Sequence, residues 1–226
     1  MNLMNISKAL IISPHPDDET LGVGGTISKL IDNGIQINVL IVSGHLPPLY
    51  EQDVFEKTKN ELYDAMTVLG VPRKNIEFLN IPATFVNVEP VSSLNSKISS
   101  YISSVSPEMV FIPFPDRHVD HRVIFDSCMV ATRPLGINRL KVILAYETLS
   151  ETHWNANYIE PNFVPDFYFD ISNDISKKIN ALSKFNSQIL ENSSRSLNAV
   201  ECLAKFRGSQ NGCDFAEAFK LIRCVV

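Results

Sequence analysis

Residues 13–25, SPHPDDETLGVGG, put one histidine and three acids directly behind the apolar run Leu10, Ile11, Ile12. That run is unbroken rather than alternating, which suits a strand buried on both faces of a parallel sheet. Carboxylates at the end of such a strand cost folding energy unless something pairs with them, and a divalent cation is a common partner. The stretch therefore reads as half of a metal site. Pro16 restrains the backbone between His15 and the pair Asp17 and Asp18, so the loop can present His15 and one aspartate to a common point. Imidazole and carboxylate together suit zinc and related divalent ions, and a catalytic zinc usually takes three protein ligands while keeping a position for water. A third ligand must come from elsewhere in the chain.

The remaining histidines are His45, His118, His121 and His153, and only His118 and His121 occur together, in the segment DRHVDHR at 116–122. This segment follows the apolar run MVFIPF at 109–114, which predicts a strand. Further strands are predicted at 9–13, 36–43, 75–79, 141–146 and 167–171. Amphipathic helical spacing falls at about 20–33, from Asp53 to Leu69, at 94–105, through Phe125 and Met129, at 175–189 and at 197–208. Asp53 followed by Glu56 predicts a capping box, and Gly34 and Gly70 predict left-handed helix ends. Residues 148–165, around Trp154, read as an irregular substrate-facing loop or a loosely packed insertion. Strands alternating with helices at this spacing predict a single-domain α/β fold over 1–226: a Rossmann-like, mostly parallel sheet with helices on both faces. Ligands then bind outside the carboxyl ends of the strands, where both polar clusters fall.

Composition narrows the function classes. The 226 residues are 45% hydrophobic, enough for a substantial core, and carry a formal net charge of -5. With no cluster of Lys and Arg, the chain reads as no nucleic-acid binder. No segment approaches the length of a membrane span, and the N-terminal residues MNLMNISKALIIS lack a leader pattern, so a cytoplasmic protein is expected. Cys128, Cys202, Cys213 and Cys224 form no C-x-x-C pair and read as buried free thiols. Gly22, Gly24 and Gly25 do not complete a dinucleotide fingerprint, because Ile27 holds the third glycine position; close packing of the first helix on the sheet explains them better. No G-x-S-x-G elbow is present.

HPDDE at 15–19, the Gly-rich entry into the first helix and HVDH at 118–121 resemble the PIG-L/LmbE-like zinc-dependent N-deacetylases. Weaker similarity extends through Glu61 and Ala65, Leu69-Gly70, Arg207-Gly208 and FAEAF at 215–219. The resemblance implies zinc, or another divalent transition metal, held by His15, Asp18 and His121. It implies Asp17 as general base, His118 stabilising the tetrahedral intermediate or protonating the amine, and Asp120 orienting His118. The implied substrate is a small acetamido sugar of the N-acetylglucosamine type, as a glycoconjugate or sugar metabolite, and oligomers occur in the family, so a homo-oligomer is a further expectation. The chemistry agrees: zinc lowers the pKa of water to roughly 7, and a neighbouring carboxylate can then take its proton. The chain departs from the family pattern at Val119, where a proline is common, and in the loop SGHLPP at 43–48. His45 and Arg117 are candidate substrate contacts. A metal-dependent hydrolase of another amide or ester, and a non-catalytic sugar- or metabolite-binding module, are the alternative readings.

Overall fold

The computed structural model describes residues 6–134, 140–156 and 158–225; the first five residues of the N-terminal stretch read above lie outside them. In chain order the elements are β1 (Lys8–Ser13), α1 (Asp18–Asp32), β2 (Gln36–Gly44), α2 (Gln52–Leu69), β3 (Ile76–Pro82), α3 (Val91–Val105), β4 (Met109–Pro113), α4 (Val119–Ala131), β5 (Val142–Tyr146), α5 (Leu149–Thr152), β6 (Phe167–Asp170), α6 (Ile175–Leu182), α7 (Leu197–Ser209) and β7 (Ala216–Cys224). One seven-stranded sheet has the order β3-β2-β1-β4-β5-β7-β6. From β3 to β5 it is parallel. β7 runs antiparallel to both β5 and β6. This is the mostly parallel, single-domain α/β fold expected from the alternation of elements.

Alternate residues of β1 feed two separate cores. Ala9 and Ile11 pack on one face with Val23 and Ile27 of α1 and Leu62 and Met66 of α2, whereas Leu10 and Ile12 pack on the other with Leu94 and Ile98 of α3 and Ile124 of α4. Each such fully buried aliphatic side chain contributes about 1.5–3 kcal/mol relative to exposure. Burial on both faces fixes the register of β1, and with it the point where the chain leaves the sheet. β1 pairs with β4 through Ala9–Met109, Leu10–Val110 and Ile11–Phe111. Strand order reverses between these two strands, so the loops after β1 and β4 emerge side by side at the switch point where α/β sheets bind ligands.

Four expectations are corrected. α2 starts at Gln52 with Glu51 as its cap and no side-chain capping bond, so Asp53 and Glu56 form no capping box. The apolar stripe from 175 to 189 is helical only to Leu182; Ser183 turns back to the Asn180 carbonyl, and Phe185 still reaches the core from a run of turns. β7 was not expected as a strand: only its first half is buried, and its Glu217, Lys220 and Arg223 break the apolar run that marks the other strands. Of the cysteines, Cys128 is buried, but Cys202 and Cys224 are exposed. Among the described residues no helix is long and apolar enough to cross a membrane.

The glycines of α1 serve close packing. A Cβ on Gly22 would stand 2.3 Å from Cδ2 of Tyr146 and 2.9 Å from the Glu147 carbonyl oxygen, and one on Gly25 would stand 2.7 Å from Cδ1 of Ile171. Tyr146 is fully buried with its hydroxyl donating to the Ile12 carbonyl, so it has no room to yield. Gly22→Ala should therefore lose stability despite a helix-propensity gain of about 1 kcal/mol, with a net cost of about 1–2 kcal/mol in urea unfolding.

Glu108 ties the start of β1 to β4, accepting from the backbone N–H groups of Ser7 and Lys8 and from the Ser7 hydroxyl. Burial raises its pKa, but these hydrogen bonds outweigh that and hold it below its ordinary value near 4.5. The stabilisation is present above the unfolded-state pKa and is lost as pH falls through the depressed folded value. Glu108→Gln should cost about 1 kcal/mol at neutral pH, and the difference between variant and wild type should vanish in unfolding curves taken well below the carboxylate range.

Candidate metal centre

The loop after β1 is shaped by its own polar side chains. Pro14 O accepts from the backbone N–H and hydroxyl of Ser43 on β2. The Ser13 hydroxyl donates to His15 O and accepts from Glu19 N–H. Glu19 receives the Asp17 N–H and the Thr20 hydroxyl. The third acid of the stretch is thus a strut that holds the turn, and burial pushes its pKa up to about 7. Asp17 caps α1 at φ 132°, a backbone region that a non-glycine residue occupies only at a cost.

This turn and the first turn of α4 set one carboxylate oxygen between two imidazole nitrogens. Oδ2 of Asp18 lies 3.1 Å from Nδ1 of His15 and 3.2 Å from Nε2 of His121, and both Asp18 and His121 are fully buried. Tetrahedral bonds of about 2.0–2.2 Å put ligand atoms about 3.3–3.6 Å apart, so both spacings from Asp18 Oδ2 come close to those of ligands that share an ion. Polar atoms without partners agree: His121 Nε2 makes no hydrogen bond despite its closeness to Asp18, and Asp18 Oδ1 is also buried and unpartnered. The opposite nitrogens of both rings are held by carboxylates. His15 Nε2 lies 2.9 Å from Oδ2 of Asp120, and His121 Nδ1 lies 3.0 Å from the Asp116 carboxylate. Such outer partners fix ring orientation and raise ligand basicity.

Electrostatics make the same demand. Burial opposes charge on every member, yet His121 and His15 hold the Asp18 carboxyl well below the usual range. Bonds and charges from Asp120 and Asp18 push His15 up to about 9, and Asp18 and Asp116 push His121 up to about 10. The buried carboxylates require positive charge beside them, as imidazolium protons or as a metal ion that displaces those protons.

His118 also stands in the cluster, its ring centroid 4.6 Å from that of His15 and 5.0 Å from that of His121. The three histidines can each offer a nitrogen within 4.8 Å of the others. Nδ1 of His118 caps α4 by accepting from Asp120 N–H, so in the neutral ring Nε2 carries the proton and is a donor rather than a ligand. Burial, then the charges of His15 and His121, lowers its pKa to about 4, so it is neutral. Asp17 is 3% exposed; burial, reinforced by Asp18 and Glu19 against the pull of Arg195, pushes its carboxyl up to about 8, and a cation beside it acts in the opposite direction.

The residues read from the sequence do not all meet. His15, Asp17, Asp18, His118, Asp120 and His121 share the site. Asp120 turns its carboxylate to His15, the hydroxyl of Ser43 and the N–H of Thr84, and its approach to the His118 ring is 4.0 Å. The bond between Asp120 and His118 runs from the Asp120 backbone N–H to the ring. His45 lies against Tyr50 with Nδ1 buried and unpartnered, and burial, then the charges of His15 and Arg195, lowers its pKa. Arg117 is engaged by Glu160 at 2.5 Å, with its guanidinium 5.5 Å from the Trp154 ring. His153 is bound to Glu147, which Arg207 grips with two donors.

Asp116, Thr84, Thr152 and Arg195 belong to the site but were not singled out. Thr84 sits at φ 66° and aims its N–H at Asp120. Thr152 donates to Asp116 and so joins α5 to His121. Only Asp116 carried a signal, its place in DRHVDHR; the others arrive from segments distant in sequence.

Fold and site together define an α/β protein with a candidate metal centre at its topological switch point. The chain belongs to the PIG-L deacetylase family, whose model, described as PIG-L: GlcNAc-PI de-N-acetylase, matches residues 10–132. It is 27% identical to the diacetylchitobiose deacetylase of Thermococcus kodakarensis, over 96% of this chain and 84% of that protein. It is also 27% identical to a probable N-acetyl-alpha-D-glucosaminyl L-malate deacetylase 2 of Bacillus cereus, over 79% of this chain and 82% of the relative. The structure of the N,N'-diacetylchitobiose deacetylase from Pyrococcus horikoshii superposes with a TM-score of 0.77 at 23% identity, covering 97% of this chain and 85% of that one. The 4-carboxy-2-hydroxymuconate hydratase GalB of Pseudomonas putida superposes equally well, with a TM-score of 0.78 at 18% identity over 98% of each chain, so the fold by itself does not select the reaction.

A centre held by His15, Asp18 and His121 predicts that purified protein binds about one divalent ion per chain. His121→Ala should abolish binding, His118→Ala should retain it, and Asp116→Asn should weaken it about 10–100-fold, all measured by chelator competition.

Proposed function

We propose that the chain is a zinc-dependent deacetylase that removes the N-acetyl group from a small acetamido sugar of the N-acetylglucosamine type, acting as one unit over 1–226. The observation that carries this reading is the convergence of His15 Nδ1, Asp18 Oδ2 and His121 Nε2 beside Asp17 and His118. Family membership supports deacetylation, and the names of the relatives support an acetamido sugar. Two imidazoles and a carboxylate suit zinc, although another divalent transition metal fits the same donors.

His15, Asp18 and His121 would hold the ion, which when bound supplies a Lewis acid that polarises an amide carbonyl and acidifies water. Asp17 takes the proton of the attacking water. His118 donates from Nε2 to the carbonyl oxygen as negative charge grows there, a donor already fixed by the cap on its Nδ1. The C–N bond breaks as the proton passes to the nitrogen, which leaves as a free amine with acetate as the other product. Asp120 holds His15 through its carboxylate and His118 through its backbone N–H, and so positions both imidazoles. His45 and Arg117 are the substrate contacts in this reading.

Asp17→Asn should keep the metal and lose turnover by about 10²–10⁴-fold. The assay is acetate release across N,N'-diacetylchitobiose, N-acetylglucosamine and N-acetylglucosaminyl malate, with simple esters and acetylated peptides for comparison. Preference for the sugars supports the proposal; release from esters or peptides alone supports the broader hydrolase, and tight sugar binding without release supports a binding module.

A further inference from the structure

Asp17 has an unusual setting for a carboxylate that must meet water. It sits on strained backbone, is almost fully buried, and among the described residues no hydrogen bond holds its side-chain oxygens. An arginine faces it. Nη1 of Arg195 stands 3.5 Å from Asp17 Oδ2, while Nη2 stands 3.6 Å from Oε1 of Glu151 on α5. Arg195 lies between α6 and α7, far from the metal-ligand motifs in sequence. That segment is tied down by polar contacts. Glu61 of α2 accepts from the backbone and hydroxyl of Ser187, Gln188 donates to that hydroxyl, and Arg195 donates to Gln188 Oε1 at 3.1 Å. The Ser193 hydroxyl accepts from Arg195 N–H, and Ser196 caps α7 one residue later.

We propose that Arg195 is a positioning residue for the base: its guanidinium, braced by Gln188 and Glu151, holds the Asp17 carboxylate in place by charge while leaving both oxygens free to accept a proton. The spacing matters. A tight two-donor fork would occupy the carboxylate lone pairs with hydrogen bonds, whereas a single contact of 3.5 Å to Asp17 keeps the attraction and leaves its acceptors open. Arginine suits this role because it never loses its charge and its planar head can face two carboxylates at once. Glu151 prevents the guanidinium from collapsing onto Asp17 by drawing it from the other side. The segment around Arg195 thereby becomes a working part of the site.

This inference rests on the deacetylase reading, and its test separates the two. On metal-loaded protein with N,N'-diacetylchitobiose as substrate, Arg195→Ala should retain full metal content, lose about 100-fold in kcat through misplacement of the base, and change KM less than about threefold. Arg195→Lys should recover part of the loss, and added guanidinium ion should rescue Arg195→Ala but not wild type. Independently of turnover, a double-mutant cycle of Asp17→Asn and Arg195→Ala in urea unfolding should depart from additivity by at least about fivefold in the unfolding constant. A kcat within twofold of wild type, a loss confined to KM, or additive unfolding effects would overturn the role of Arg195 while leaving deacetylation standing. No acetate release by wild type on any sugar would overturn the deacetylase reading, and additivity in the cycle would still decide the pairing.

Discussion

The structure depends on one buried carboxylate oxygen, Asp18 Oδ2, set between two imidazole nitrogens from separate parts of the chain. Nothing else at the site is as constrained. A carboxylate with no exposure, taken from water and given, among the described residues, no backbone donor other than His15 N–H, needs positive charge within bonding distance. His15 comes from the loop after β1 and His121 from the first turn of α4, so their meeting at Asp18 requires that β1 and β4 be neighbours with a fixed register. The two-faced burial of β1 supplies that register, and the short contact of α1 with Tyr146 at Gly22 sets how closely the helix bearing Asp18 approaches the sheet. Metal-site geometry is thereby written into packing some distance from the ligands.

Around this centre the acids divide their work by what each one touches. Asp18 faces the two imidazoles. Asp120 and Asp116 bind the far nitrogens of those rings and fix their tautomers, Glu19 braces the turn, and Asp17 is left with no hydrogen bond to its carboxylate among the described residues. Five buried carboxylates in so small a volume would repel one another strongly in the absence of cations; with His15, His121 and Arg195 interleaved, each acid has a partner of opposite charge or a set of donors. His118 differs from the other two histidines because its Nδ1 is spent on the helix cap, which leaves Nε2 to carry the proton of the neutral ring.

Much of this was legible from residue order. The unbroken run before HPDDE announced a strand buried on both faces, and the placement of DRHVDHR behind a second such run brought His118 and His121 to the neighbouring strand end, so the fold class and the meeting of the two motifs followed from local pattern. Pairings decided by tertiary approach were not legible. Asp120 is adjacent to His121 and two residues from His118, yet its carboxylate serves His15 because the sheet brings β1 beside β4 and Thr84 supplies an N–H from the β3 exit. Arg195 reaches Asp17 only because α6 stops at Leu182 and the chain after it turns back over the site. β7 escaped notice because half of it lies at the margin of the sheet and carries charge.

The same fold is shared with a hydratase, so the reading of function rests on the donor set and on family membership rather than on architecture. Its central claim is the identity of the three ligands. Anomalous diffraction from crystals of the zinc-loaded protein tests it most directly: the account predicts a single strong peak about 2.0–2.2 Å from His15 Nδ1, Asp18 Oδ2 and His121 Nε2, with His118 outside bonding distance. A peak ligated by all three histidines with Asp18 excluded, or one lying elsewhere on the chain, would contradict it.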